Sequence, residues 1–306
     1  MAYSASAFQL THLLQRMYRR LKVARLSQAT GGSITTIVDT KLVDYLGDSN
    51  EDDYLNNWTA IIVRDAGGAG ADPEGKFDRI SDYDDAGTIT VPSTLTTAVA
   101  AGDTYMYISP DFPLYDMIEV VNDALQSEHI GNVPVPDTSL TTVDNQTEYT
   151  LPSALITDNA LLDVEFQGIT TDANNNRYSP IPGWRIVPSG TGGTAGTLVV
   201  PQFASGYKLR LTYLGLHPRV NAYSDYISEY IPRPLAVAAC VAHALEWYNT
   251  QRGGSDKYWL QREDRAWNQL DLAKRMTPVV LPPRRMQGFP HWGNTTTDEF
   301  APIPLP

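Results

Sequence analysis

The run Gly190-Thr-Gly-Gly-Thr-Ala-Gly196 is a first candidate for chemistry, because a glycine-rich turn can wrap phosphate oxygens in backbone amides. That chemistry requires a helix to open directly after the loop. Leu198-Val-Val-Pro201 follows instead and reads as strand, so a hairpin turn is expected. Gly67-Gly-Ala-Gly70 fails in the same way, and neither loop carries a lysine at P-loop spacing. Asp82-Tyr-Asp-Asp-Ala-Gly87 starts like a calcium loop, but Ala86 stands at the third-ligand position and Ser93 where the closing carboxylate belongs. Asp172-Ala-Asn-Asn-Asn176 lacks both the turn glycine and the terminal glutamate. Both segments read as β-turns built from residues that tolerate left-handed backbone.

His12, His129, His217, His243 and His291 are far apart in the chain and show neither HExxH nor zinc-ribbon spacing. Cys240 and His243 lie one turn apart on an apolar helix. A nucleophile and its base usually come from different elements, so these two are expected to be a packed core pair. No serine sits in a Gly-x-Ser-x-Gly elbow. The carboxylates between Asp39 and Asp85 read as a solvated acidic face. No catalytic residue, metal ligand or cofactor site is assigned, and the expectation is a protein that is not an enzyme.

Recognition is the chemistry that remains. The formal net charge is -12, yet it is unevenly placed. Between His12 and Arg25 there are five basic residues and no acid, while Asp39 to Asp85 holds thirteen acids against four bases. Arg16, Arg19 and Arg20 fall opposite the Leu13–Met17–Leu21 stripe of a helix. They are candidates for contacting DNA phosphates, or an acidic patch such as Glu51-Asp-Asp53 on a neighbouring copy. A plain solvated helix face is the alternative. The acidic total argues against wrapping nucleic acid over a broad surface.

The second candidate surface is the stretch Thr277 to Pro306, with seven prolines and three large aromatics. Proline removes a backbone donor, so this stretch cannot extend a helix or enter a sheet interior. A purely disordered tail would be poor in aromatics. Arg284, Arg285, Met286, Phe289, Trp292 and Phe300 are therefore candidate partner-binding residues on an extended arm.

These surfaces need elements to hold them. Apolar periodicity predicts four helices: Ala7 to Gln28, ended by Gly31-Gly32; Pro113 to just before Gly131; a small-residue helix from Pro232–Pro234 to Gly253-Gly254; and a fourth capped by Ser255 and running to Met276. The period changes to two in Ser33–Thr40, Ala60–Arg64, Thr88–Val91 and Thr104–Ser109. It does so again in Thr147–Leu151, Leu161–Gln167, Arg185–Pro188, Thr197–Val200 and Lys208–Tyr213. The expected fold is α+β: a hub of about four helices with two inserted antiparallel β modules and a Pro-rich C-terminal arm. The expected segments are 1–30 (hub helix), 31–110 (first β module), 111–131 (hub helix), 132–218 (second β module), 219–276 (hub helices) and 277–306 (arm). The single cysteine, Cys240, rules out an internal disulfide framework and fits assembly in a cytoplasm. No signal peptide is expected at Met1–Gln9, and the longest nearly apolar run, Leu235–Leu245, is too short for a membrane span.

Thr36-Ile-Val-Asp-Thr-Lys-Leu42, Asp78-Arg-Ile-Ser-Asp-Tyr83 and Ala101-Gly-Asp-Thr-Tyr105 resemble a β module of tailed-bacteriophage virion proteins. Asn145-Gln-Thr-Glu-Tyr-Thr-Leu-Pro152, with Leu209-Arg-Leu-Thr-Tyr-Leu-Gly-Leu-His-Pro218, resembles a second such module. Tyr230-Ile-Pro-Arg-Pro-Leu, followed by an alanine-rich helix and a charged helix bearing Trp267, is similar to the C-terminal half of head-to-tail adaptor (connector) proteins. The resemblance implies a homo-oligomeric ring, usually of twelve copies, in the virion neck. Such a ring binds the portal protein on one side and tail or nozzle proteins on the other, and touches packaged DNA transiently and non-specifically. It implies no catalytic residue, cofactor or membrane. Adaptors of this kind are often smaller and mainly helical, and two large β insertions depart from that pattern. The rival readings are a tail-tube terminator or other tail subunit, and a carbohydrate- or receptor-binding β module of the virion.

Overall fold

Leu10, Leu13, Leu14, Met17 and Leu21 form one buried stripe, and they set the first helix, α1 (Leu10–Leu21). The structure is a computed structural model describing residues 8–68, 72–93, 95–152, 161–167, 178–187 and 196–282. A reciprocal capping box between Gln9 and His12 starts α1, and Lys22 ends it in the left-handed region at φ 58°. The helix therefore does not reach Gln28. Ala24–Gln28 is instead a strand, β1, and Gly31–Gly32, expected to terminate a helix, is strand β2. The left-handed turn at Lys22 swings the chain off the helix axis, and a distant partner strand then captures it.

The chain continues through β3 (Thr36–Val38), α2 (Leu42–Leu46), β4 (Thr59–Arg64), β5 (Phe77–Arg79), β6 (Asp82–Tyr83), β7 (Thr88–Thr90), β8 (Thr104–Ile108) and α3 (Leu114–Leu125). Two antiparallel sheets result, ordered β1-β8-β4-β5 and β2-β3-β7-β6. Ile37, Tyr83 and Ile89 from one sheet and Ala60, Ile62, Tyr105 and Tyr107 from the other share a single core. Asp39 is fully buried in this module, which corrects the reading of the whole acidic run as a solvated face. Its carboxylate accepts from Ser27 Oγ, from Tyr105 Oη at 3.0 Å and from the Lys41 amide at 3.0 Å. Asp103 is equally buried and accepts from the amides of Ala66 and Ala100 at 2.9 and 2.8 Å.

The next stretch holds β9 (Val133–Asp137), β10 (Glu148–Thr150), β11 (Leu161–Gln167), β12 (Tyr178–Pro180), β13 (Arg185–Val187), β14 (Thr197–Val199) and β15 (Leu209–Gly215). They form antiparallel sheets ordered β12-β11-β15-β9 and β10-β14-β13 around a core that includes Leu161, Val164, Trp184, Leu198 and Leu211. Strand β9 carries Pro134 and Pro136 and lies at a sheet edge, where a missing amide donor is tolerated. This segment, Asn132–Leu216, belongs to one compact unit. The other draws on both flanks, up to Gly131 and again over His217–Val280. The fold is thus α+β, with antiparallel sheets.

After His217 come α4 (Arg233–Gln251) and α5 (Lys257–Met276). Helix α4 packs against α1, α3 and α5, and twelve of its nineteen residues are buried, so it is enclosed on nearly all sides. Its alanines permit that close approach. The cap of α5 is Asp256, not Ser255: its carboxylate accepts the Tyr258 amide at 2.8 Å.

His217 stands where the chain re-enters the first unit. Its Nε2 accepts the Ser228 amide at 2.9 Å, and its Nδ1 lies 2.6 Å from the Pro218 carbonyl. Only the neutral tautomer with the proton on Nδ1 satisfies both bonds. Burial lowers the pKa of His217 below 6.5, against the opposing pull of the Pro218 carbonyl. A depressed folded-state pKa gives stability that is complete above the unfolded value and is lost as pH falls below it. The melting temperature is therefore expected to drop between about pH 7.5 and about pH 5. His217→Gln, whose amide oxygen can still accept from Ser228, should shrink that drop. An unchanged drop, measured by calorimetry, would assign it to His12 and His243, which burial also lowers.

Candidate functional site

The helix face predicted to be basic is basic and exposed: Arg16, Arg19 and Arg20 all point away from the α1 stripe. They do not form one cluster. Arg16 lies over the Phe8 ring at 5.8 Å, a ring that Arg233 also covers at 5.2 Å. Arg19 and Arg20 occupy the last turn of α1, where cations offset the negative end of the helix dipole. Of the three, Arg20 lines a concave surface together with α4 and α5. Arg284, Arg285, Met286, Phe289, Trp292 and Phe300 lie outside the described residues.

That surface is an open groove of about 770 Å³. Arg20 and Lys22 reach it from the end of α1, and Pro234, Ala238, Val241 and Leu245 from α4. Helix α5 supplies Arg262, Arg265, Ala266, Gln269, Leu272, Ala273 and Met276. The lining has four cations, no anion and a mainly aliphatic floor. Arg262 is held in place: it donates to the Leu21 carbonyl at 2.8 Å and lies 4.5 Å over the Trp259 ring. Among the described residues, Arg20, Lys22 and Arg265 have no side-chain hydrogen bond or ion pair.

The α5 wall is short of partners. Of its twenty residues only Ala266 and Leu270 are buried, while Leu272 is 58% and Met276 74% exposed. Helical stability in proteins comes mostly from covering an amphipathic face, and here much of the apolar surface is uncovered. Arg262 and Arg265 were missed as site residues in the sequence. Their signal was present, since 262, 265, 269, 272 and 276 repeat at helical spacing on one face.

The other candidates resolve into packing. Cys240 is fully buried, and burial pushes its thiol up to about 12, so it stays protonated at neutral pH. The His243 ring packs edge-on against Trp267 at 5.3 Å rather than serving the thiol. His129 and His243, remote in sequence, come within 6.2 Å of each other, and His129 lies 5.0 Å from Trp267. Among the described residues no group of three or more His, Cys, Asp or Glu side chains could hold a metal ion. In the Asp82–Gly87 turn, Asp84 Oδ1 accepts the amides of Ala86 and Thr88 at 3.1 and 2.8 Å, which ties it to the hairpin joining β6 and β7. Most of the Gly190–Gly196 run lies outside the described residues, and its flanking strands β13 and β14 pair with each other. No described helix is long and apolar enough to cross a membrane. Set against known proteins, the sequence matches no family model and no curated relative.

Proposed function

We propose that the chain is a non-enzymatic structural subunit, a head-to-tail adaptor of tailed-phage virions. In this reading copies assemble into a ring, of twelve by the adaptor resemblance, in the virion neck. Each copy joins the portal protein to tail or nozzle proteins, and the ring continues the DNA channel. The helices form the ring, and the Pro-rich arm grips a neighbour or the portal.

The observation that carries this reading is the apolar face of α5, uncovered at Leu272 and Met276 beside an open groove. A monomer has little use for such a face, whereas a heterologous subunit contact covers it and closes into a ring when the rotation allows. The net charge of -12 suits a channel along which DNA slides without adhering. A tail-tube terminator would be built on a β-sandwich hub with helices flanking it, whereas α4 here is enclosed by α1, α3 and α5.

Replacing Leu272 and Met276 together by Glu tests the reading. Both side chains are exposed, so the fold should lose less than about 1 kcal/mol. Incorporation into particles is expected to fall at least about tenfold, the effect of losing some 1.4 kcal/mol per contact. Normal incorporation of the folded variant would remove α5 from the interface.

A further inference from the structure

We infer that the groove between α4 and α5 receives the acidic, apolar C-terminal segment Asp298–Pro306 of a second copy. This rests on the reading of the chain as a self-assembling subunit, and it names where the arm docks. The groove offers cations on its rim and an aliphatic floor, with no carboxylate in its lining. Arg20 and Arg265, exposed and without partners among the described residues, are available to an incoming anion.

The chain carries one segment of matching chemistry at its own end: Asp298-Glu-Phe-Ala-Pro-Ile-Pro-Leu-Pro306. Asp298 and Glu299 are the only acids after Asp271, and Phe300, Ile303 and Leu305 follow them directly. The acids match Arg20 and Arg265, and the apolar side chains match Leu272, Met276 and Ala238. Proline at 302, 304 and 306 limits the conformational freedom such a segment loses on binding.

The described chain ends at Pro282, soon after Met276 at one end of the groove. From Pro282 to Asp298 an extended chain spans at most on the order of 50 Å. Tail-to-groove contacts repeated from copy to copy are heterologous, the kind that closes a ring. Duplex DNA is the poorer occupant, because phosphates gain nothing from the aliphatic floor and the whole chain is acidic.

Two full-length chains with different tags test this, one carrying Gln269→Cys and the other Phe300→Cys. The native thiol, Cys240, is fully buried and does not compete. Under mild oxidation a disulfide between the two tags is expected. Adding Asp298→Lys and Glu299→Lys to the tail should cut its yield at least about tenfold, and adding Arg20→Glu and Arg265→Glu to the groove partner should restore it. If the wild-type chain assembles but no mixed disulfide forms, the docking site is wrong while the subunit reading stands. If the wild-type chain neither assembles alone nor joins a portal ring, and no disulfide forms, both fail. Duplex DNA bound through Arg20 and Arg265 without any mixed disulfide would overturn the proposal and assign the groove to phosphates.

Discussion

Replacing Asp39 by Ala is expected to destabilise the first β module by about 3–5 kcal/mol, the loss seen when one partner of a buried charged network is removed. The carboxylate is fully buried and binds three donors from three places in the chain: Ser27 at the end of β1, Tyr105 on β8 and the amide of Lys41 before α2. Removing it takes the carboxylate acceptor from the Tyr105 hydroxyl inside a core that holds Ile37, Ile62 and Ile89. Burial first, and the Asp39 carboxylate second, hold the Tyr105 phenol far above its ordinary pKa, so Tyr105 acts as a donor at any accessible pH. Asp39→Asn keeps an acceptor for the Lys41 amide and should cost less than the alanine. Urea denaturation, followed by fluorescence of the nearby Trp58, measures both. A loss below about 1 kcal/mol for the alanine variant would show that the network contributes little.

Asn122→Ala is expected to cost about 2–4 kcal/mol, because it leaves both backbone polar groups of one buried residue, Val220, without these partners. The Asn122 side chain on α3 reads the backbone of Val220 as a strand would. Its Nδ2 donates to the Val220 carbonyl at 3.0 Å, and its Oδ1 accepts the Val220 amide at 2.8 Å. The same Nδ2 also donates to the Ile118 carbonyl at 3.0 Å, which fixes the rotamer. Gln126, one turn on, donates to the His217 carbonyl at 2.9 Å. Together they clamp the returning chain to α3. Asn122→Asp should be at least as damaging, since a carboxylate would face two carbonyl oxygens. If the alanine variant unfolds at the wild-type denaturant concentration, the clamp is not what positions the return.

These two residues show where reading the sequence ran out. The start of α3 and the bounds of α4 and β11 were legible, because Pro113 and Pro232 mark two helix starts and Leu161–Gln167 is a clean run, while α3 ends at Leu125, short of the expected stop before Gly131. The end of α1 was not. Ala24–Gln28 alternates weakly, and pairing with β8, far along the chain, decides its conformation. Strand β9 was hidden by its own prolines, which argue against a strand until the edge position is known. Asp39 was lost in a run of acids, because composition does not distinguish the one carboxylate that the core surrounds. Arg20 was visible as a cation opposite an apolar stripe. Its groove was not, since Arg262 and Arg265 join it only once α4, α5 and the end of α1 are packed together.

The proposed function makes this chain a ring subunit at the head-to-tail junction. Electron microscopy of the negatively stained full-length protein, alone and mixed with portal rings, tests it most directly. Closed rings, or added density on the tail-facing end of the portal, is the predicted result. Lone particles that leave the portal bare, at concentrations well above those of assembly, would contradict it.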